Sequence, residues 1–164
     1  MTLTGCPRHD RSEVKLRRYE PGDETAAHEL WRRSWQTAYP AIDFDARMGW
    51  WRKRWRDELL PQAAVVVAEV CERLVGFVTV DQTTGYLDQI VVAPEAWGGG
   101  IADLLLLEAK RLSPDKLVLH VNTDNTRAVA FYRRHGFDVL SEYRPDADAP
   151  RIWAMWREAA SGGG

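Results

Sequence analysis

The most restrictive feature of the sequence is an apolar strand that runs into a glycine-rich turn and then into an apolar helix. Residues 86–92 have the composition of a strand, Pro94 follows, and three glycines stand together at positions 98–100 before a helical stretch. Glycine lets the backbone approach a ligand closely. The free N–H groups and the dipole at the start of the helix favour an anion. The segment predicts a phosphate-binding unit, with a plain strand–helix turn as the alternative.

Two familiar phosphate loops do not fit this turn. A P-loop requires Gly-Lys-Ser/Thr at its end, but Gly100 is followed by Ile101 and Ala102. A dinucleotide-binding fingerprint requires a third glycine at the position occupied by Asp103. Nucleoside triphosphate and dinucleotide sites of these two kinds are therefore not predicted.

A second segment begins with Asn125, which can cap a helix or bond a ligand. It continues through Ala128, Phe131 and Tyr132 to a Gly-Phe pair at 136–137. Tyr132 stands four residues after Ala128, so both lie on one helix face. Phe131 and Tyr132 can also be plain core aromatics.

Together the two segments resemble the GNAT superfamily of acetyltransferases, whose motifs are Val-x-Pro-x-x-Arg/Gln-Gly-x-Gly-Ile-Gly/Ala and Asn-x-x-Ala-x-x-Phe-Tyr-x-x-x-Gly-Phe. The resemblance covers residues 14–157, with residues 14–60 matching in element order alone. It implies acetyl-CoA as acyl donor, with its pyrophosphate on the turn and its pantetheine arm along the preceding strand, and Tyr132 as the general acid for the sulfur. The implied acetyl-CoA-binding residues are Ile90, Val91, Val92, Trp97, Gly98, Gly99, Gly100, Ile101, Ala102, Asn125, Ala128, Phe131 and Tyr132.

The predicted reaction is direct attack of a primary amine of a small molecule or peptide on the thioester in a ternary complex. No cysteine lies in either motif, which disfavours a covalent acyl-enzyme. The backbone N–H of Val92 or a neighbour would polarise the carbonyl. Two departures from the motif predict weaker coenzyme binding: Trp97 replaces Arg or Gln, and Asp103 puts a carboxylate in the first helical turn. They motivate a second hypothesis, a non-catalytic acyl-CoA-binding module or sensor. A purely structural interaction domain is the third.

The general base is predicted at Asp88, because its strand face otherwise reads apolar and an unpaired charge there is costly. A salt-bridged or turn-capping Asp88 is the rival, Glu69 is a poorer candidate, and His120 is expected to be packed or capped. Tyr86, Trp31 and Trp35 are the predicted acceptor-binding residues, the last two as an aromatic wall. Helix packing is the alternative for both tryptophans. The basic stretch at 47–56 is either a solvated face or a site for an acidic group.

The order of elements predicts an α/β fold of the layered α+β kind. We expect a mixed, mostly antiparallel central sheet of about six to seven strands, flanked by about four helices. Residues 13–158 are predicted to form a single acetyltransferase domain, with a disordered tail at 1–12 and a flexible tail at 159–164. The predicted helices span residues 24–39, 44–59, 100–112 and 125–135, with Pro61 closing the second.

Composition argues against several other classes of protein, namely nucleic-acid-binding, membrane-spanning, metal-binding, disulfide-rich and secreted proteins. The net charge of −2 gives no basic excess for nucleic acid, and no apolar run approaches the ~20 residues of a membrane span. The two cysteines and four histidines lack ligand spacing, so neither a metal nor a disulfide framework is predicted. The start of the chain lacks the apolar core of a signal peptide. We therefore expect a cytoplasmic protein without a membrane or nucleic-acid partner; a homodimer is possible.

Overall fold

The structure is a computed structural model and describes residues 13–147 and 151–158. The two predicted tails, 1–12 and 159–164, lie outside the described residues. The strands are β1 (Lys15–Arg18), β2 (Ala64–Val70), β3 (Arg73–Asp81), β4 (Tyr86–Val92), β5 (Lys116–Asn122), β6 (Asp138–Tyr143) and β7 (Ile152–Glu158). The helices are α1 (Glu24–Ala38), α2 (Met48–Arg54), α3 (Leu60–Gln62), α4 (Ile101–Leu112) and α5 (Thr126–Arg134).

The strands form one seven-stranded sheet in the order β1-β2-β3-β4-β5-β7-β6. All neighbours are antiparallel except β4 and β5, which run parallel. The predicted mixed, mostly antiparallel sheet with flanking helices is thereby confirmed.

Helices cover both faces of the sheet. A Cβ at Gly76 of β3 would lie 3.0 Å from Leu105 of α4, whereas the next residue, Phe77, packs its ring against Trp55. Successive side chains of a strand point to opposite faces. The helix α4 therefore lies on one face, and the α1–α2 region lies on the other.

The second predicted helix differs from the observed one at both ends. The helix α2 begins at Met48 and continues through a π-helical turn, Trp55–Leu59, into α3. Pro61 therefore stands inside the last turn and does not close the helix after residue 59. Proline lacks the N–H that an α-helix requires at an interior position, whereas the first turn of α3 needs no donor there.

The hairpin between β2 and β3 turns on two residues with positive φ, Cys71 at 50° and Glu72 at 62°. Both central residues of a tight hairpin turn adopt such angles. Cys71 is disulfide-bonded, which corrects the sequence-based expectation that no disulfide forms.

An aromatic cluster fills the α1–α2 side of the core. The rings of Trp31 and Trp51 stack with centroids 4.4 Å apart, and Trp55 packs beside Trp51. His28 is buried beside them and accepts a hydrogen bond at Nδ1 from Trp51 Nε1 (2.9 Å). This bond places the proton of the neutral imidazole on Nε2, which faces Glu24 at 3.3 Å.

Burial lowers the pKa of His28 below its ordinary 6.5. The unfolded chain therefore takes up this proton at a higher pH than the folded chain. We expect the contribution of His28 to stability to be complete above pH ~6.5 and to decline as the pH falls, by at most about 1.4 kcal/mol per pH unit. Thermal unfolding between pH 5 and 8 measures this decline. A His28→Gln variant should show a flatter profile, and parallel profiles would contradict the assignment.

Candidate active site

The central feature of the site is a gap between the two parallel strands. β4 and β5 pair at a single register position, Tyr86 with Val118, where Val118 N–H donates to the Gly85 carbonyl (2.9 Å). Beyond that point each strand follows its other neighbour, β3 or β7. The strands therefore diverge toward their carboxyl ends.

An irregularity in β4 accompanies this divergence. Thr79 pairs with Gln89 but Val80 pairs with Leu87, so Asp88 is an extra residue in the ladder. Such a bulge bends a strand and interrupts its alternation. The sequence predicted regular alternation through Asp88, and the bulge corrects it.

The edge of β4 that faces the gap carries the backbone N–H groups of alternate residues. Ala93 N–H donates to the Val75 carbonyl (2.8 Å), so alternate residues of this strand turn toward β3. The N–H groups of Ile90 and Val92 consequently point toward β5, from which the strand has already diverged. Such an edge suits an extended arm with amide groups, as predicted for pantetheine. Val91 is buried, and Ile90 packs against the core.

The glycine-rich turn follows directly. Gly98 (φ 82°) and Gly100 (φ 87°) have left-handed backbones, and Gly100 is the N-cap of α4. The first N–H groups of a helix have no partner within it, so Ile101, Ala102 and Asp103 present donors here. Gly98 and Gly99 are exposed, while the Ile101 side chain is buried beneath the turn. The turn has the geometry of an anion site.

Trp97 braces this turn, although it has no charge for a phosphate. Its Nε1 donates to the Val92 carbonyl (2.8 Å), which also accepts from Ser34 Oγ (2.8 Å). The guanidinium of Arg127, in the first turn of α5, lies 4.4 Å above the indole ring. An arginine stacked in this way keeps its N–H groups available for an anion. Arg127 therefore supplies a positive charge beside the turn, where Trp97 replaces the Arg or Gln of the motif.

Asp103 also has a specific neighbour. Its carboxylate lies 2.7 Å from His135 Nε2, at the end of α5. This contact holds the carboxylate against α5. It also ties α4 to α5, as does Lys110 Nζ on the His135 carbonyl (3.3 Å).

The helix α5 carries the second motif. The Asn125 side chain accepts from Ala128 N–H (3.2 Å), which is the capping alternative that the sequence left open. Tyr132 is buried, and its ring packs edge-on against Phe131 and Phe137. Burial raises the pKa of Tyr132 above its ordinary value, which keeps the hydroxyl protonated at neutral pH. Phe131 and Ala128 pack against the core.

Asp88 is held by an arginine. Both guanidinium N–H groups of Arg54 on α2 donate to the Asp88 carboxylate, one of them at 2.8 Å, and Gln89 Nε2 donates at 2.9 Å. The pair raises the pKa of Arg54. The geometry is that of the salt-bridged alternative, and a base role for Asp88 stays a prediction.

The predicted acceptor residues separate into two groups. Trp31 is 4% exposed, so its position matches the packing alternative. Trp35 is half-buried and stacks on Tyr39, whose hydroxyl accepts from Asn122 Nδ2 (3.2 Å) at the end of β5. The helix α1 and the residue after it thus contact both sides of the gap, through Ser34 to β4 and through Tyr39 to β5.

Tyr86 lies where the gap begins. Its hydroxyl is 3.2 Å from His120 Nδ1 on β5, and the Tyr143 hydroxyl of β6 is 3.3 Å from the same atom. Burial and the nearby Asp88 charge raise the pKa of Tyr86 to about 12. His120 is exposed to solvent, but its ring packs between those of Tyr86 and Tyr143, as the expectation of a packed histidine requires.

A divergent pair of parallel strands, a glycine turn at a helix start and a buried tyrosine on the helix after β5 are together typical of an acyl-CoA-type transferase site. The Acetyltransferase (GNAT) family profile matches residues 25–137, and the chain belongs to this family. It is accordingly an acetyl-CoA-dependent N-acetyltransferase, and the non-catalytic alternative is not favoured.

Two curated relatives share this assignment. The chain is 31% identical over 141 residues to the peptidyl-lysine N-acetyltransferase YjaB of Salmonella typhimurium, covering 81% of this chain and 88% of that protein. It is 30% identical to YjaB of Escherichia coli, covering 81% and 86%.

Solved structures have the same fold. The PaiA N-acetyltransferase of Thermoplasma acidophilum in complex with coenzyme A matches with a TM-score of 0.72 at 21% identity, over 88% of this chain and 98% of that one. The apo form of Escherichia coli YjaB in solution matches with 0.69 at 23% identity, over 90% and 99%.

Proposed function

We propose that this N-acetyltransferase transfers the acetyl group of acetyl-CoA to a primary amine, with a lysine side chain of a peptide as the favoured acceptor, by direct attack in a ternary complex. The gap between β4 and β5 is the observation that carries the proposal. It lies next to the glycine-rich turn at the end of β4, and it is open to both faces of the sheet, so the donor and the acceptor can meet in it. The peptidyl-lysine acceptor is taken from the two YjaB relatives.

The donor would lie along β4. Its pyrophosphate would accept hydrogen bonds from the turn at Gly98–Gly100 and from Ile101 and Ala102, with Arg127 as the added cation. The N–H groups of Ile90 and Val92 would bond the arm and polarise the thioester carbonyl. Trp97 supports the turn through its bond to Val92.

Proton transfer completes the reaction. The amine nitrogen forms a bond to the acetyl carbon, the carbon–sulfur bond breaks, and Tyr132 gives its proton to the sulfur. The raised pKa of Tyr132 keeps this proton in place until the thiolate develops. The packed rings around Tyr132 exclude water, which strengthens the hydrogen bond between its hydroxyl and the developing thiolate.

The helix α1 restricts where an acceptor can enter. Its contacts with Val92 and Asn122 cover the carboxyl-end part of the gap on that face. The amine would enter nearer the start of the gap, between Tyr86 and Arg54. Trp35 borders the covered part.

Titration with acetyl-CoA, followed by calorimetry and by thermal unfolding, tests donor binding, since a ligand of the native state raises the melting temperature. Arg127→Ala should raise the Kd by about 10-fold, the loss of one charge-assisted bond. Arg111→Ala, at the far end of α4, removes an exposed arginine paired with Glu108 and should leave the Kd unchanged. Equal effects of the two variants would remove Arg127 from the donor site.

Acetylation of a lysine-containing peptide, spermidine and free lysine then ranks the acceptors. A higher kcat/KM for the peptide supports the proposal. A preference for spermidine or free lysine contradicts the peptide assignment and leaves the donor site as described.

Several sequence predictions remain predictions here, namely the cytoplasmic location, a homodimer, and the absence of membrane or nucleic-acid partners. In the described part of the chain, no helix is long and apolar enough to cross a membrane. Over the same residues, no cluster of three His, Cys, Asp or Glu side chains could hold a metal ion.

A further inference from the structure

We propose that His120 is the general base that takes the proton from the acceptor amine. This inference rests on the N-acetyltransferase function proposed above and assigns a residue that the sequence motifs do not reach. It starts from the side chains that β4, β5 and β6 bring together at the beginning of the gap.

The position of His120 is fixed by the strand register. Tyr86 pairs with Val118, so His120 stands two residues further along β5, at the level where the strands begin to diverge. Side chains of β5 alternate: Leu117 and Leu119 are buried, while His120 and Asn122 point to the other face. Asn122 meets Tyr39 after α1 on that face, so His120 lies on the side of α1 and α2.

Acid and base then stand on opposite faces of the sheet. The helix α5, which carries Tyr132, is tied to α4 through the Asp103–His135 contact, and α4 lies on the face opposite α1. An acetyl group held in the gap would have its sulfur toward Tyr132 and its open carbonyl face toward His120. The amine adds to the carbonyl carbon to give a tetrahedral intermediate, from which the C–S bond then breaks, so a base on one face and an acid on the other can act on the two groups separately.

The hydrogen bonds of the imidazole leave one nitrogen for the substrate. The two hydrogen bonds that the described residues make to His120 are both at Nδ1, and they join it to the hydroxyl oxygens of Tyr86 and Tyr143. The rings of these tyrosines also pack edge-on against the imidazole at centroid distances of 5.3 and 5.4 Å. If Nδ1 carries the proton and donates to a hydroxyl oxygen, Nε2 has its lone pair free. The two tyrosines therefore orient His120 as a base.

Asp88 is a weaker candidate for the same role. Its carboxylate accepts hydrogen bonds from Arg54 and Gln89, and its side chain is 9% exposed. Proton uptake there would break a bidentate ion pair. We assign Asp88 the role of holding Arg54 beside the amine entrance.

The proton balance is simple. His120 Nε2 removes one proton from the attacking amine as the carbon–nitrogen bond forms, and Tyr132 delivers one proton to the sulfur as the carbon–sulfur bond breaks. The imidazolium then loses its proton to water, and Tyr132 regains one. The products are the acetylated amine and coenzyme A.

The test is the pH dependence of kcat/KM for the lysine-containing peptide. Among the described residues, the titratable groups that contact His120 are Tyr86 on β4 and Tyr143 on β6, and the charged pair of Asp88 and Arg54 lies near Tyr86. Of these groups and His120, only an imidazole ordinarily titrates between pH 5 and 8. The wild type should lose kcat/KM below neutral pH, and this acidic limb should depend on the residue at position 120.

His120→Gln should lower kcat/KM by about 100-fold and abolish the acidic limb, with acetyl-CoA affinity and melting temperature unchanged. His120→Ala should recover activity when imidazole is added. His135→Gln removes a histidine outside the gap and should retain the limb. Asp88→Asn should retain the limb as well, whatever its effect on rate.

The failures are distinguishable. A wild type that neither binds acetyl-CoA nor acetylates the peptide overturns the proposed function, and the role of His120 falls with it. An active wild type whose acidic limb persists in His120→Gln overturns His120 alone. An acidic limb that disappears in Asp88→Asn assigns the base to Asp88.

Discussion

Tyr132→Phe is expected to lower kcat by about 100-fold or more, while the Kd for acetyl-CoA changes by less than about twofold. In the proposed mechanism the hydroxyl serves only the proton transfer to the sulfur, whereas the ring provides the contacts with Phe131 and Phe137. The phenylalanine ring preserves those contacts, so the melting temperature should stay close to that of the wild type. Steady-state kinetics with the lysine-containing peptide, together with calorimetry for the donor, separate the two effects.

The matched control is Tyr19→Phe, which removes a tyrosine hydroxyl beside Trp55, in the α1–α2 layer of the core. It should leave kcat unchanged. Equal turnover in wild type and Tyr132→Phe would mean that solvent protonates the thiolate, and the acid role would be lost.

Gly100→Val is expected to weaken acetyl-CoA binding by at least about 10-fold. Gly100 has a φ of 87° at the N-cap of α4, and a β-branched residue in the left-handed region costs roughly 1–2 kcal/mol or more. The turn would relieve this strain by rotating, which would misdirect the N–H groups that are proposed to bind the donor phosphates. Calorimetric titration with acetyl-CoA measures the loss.

Gly49→Ala provides the control for a glycine substitution. This glycine lies in α2, and a Cβ there meets nothing within 4 Å. Alanine at a helical position with room for it is neutral or stabilising. Wild-type affinity in Gly100→Val, with melting temperature retained, would show that the donor phosphates do not depend on this turn.

The two motifs could be predicted from the sequence because their parts are close together along the chain. The Gly98–Gly100 turn and the Asn125 cap depend on local backbone geometry, which glycine and asparagine specify directly. The strand and helix order likewise follows from local hydrophobic patterns, and it identified the layered sheet.

The contacts between distant elements could not be predicted. Arg54 and Asp88 are 34 residues apart, and Tyr86, His120 and Tyr143 stand on three different strands. Their proximity depends on sheet order and register, which no local pattern in these segments reports. The bulge at Asp88 is a further example, because it changes the facing of a strand whose sequence reads as regular.

Arg127 was missed for a related reason. The departure at Trp97 was visible in the sequence, but its compensation lies 30 residues away on α5 and depends on the stacking of two side chains. A search for an arginine near the start of the helix in the second motif could have suggested it.

The single register pair between β4 and β5 has a mechanical consequence. It divides the sheet into two stiff halves, β1–β4 and β5–β7, that share almost no backbone ladder. A bound pantetheine arm would form hydrogen bonds in the gap between the two halves, so acetyl-CoA binding should reduce their motion relative to each other. Amide protons at the facing edges of β4 and β5 would then exchange more slowly with solvent. During turnover the sheet would alternate between a donor-bound state with linked halves and a free state in which they are not linked.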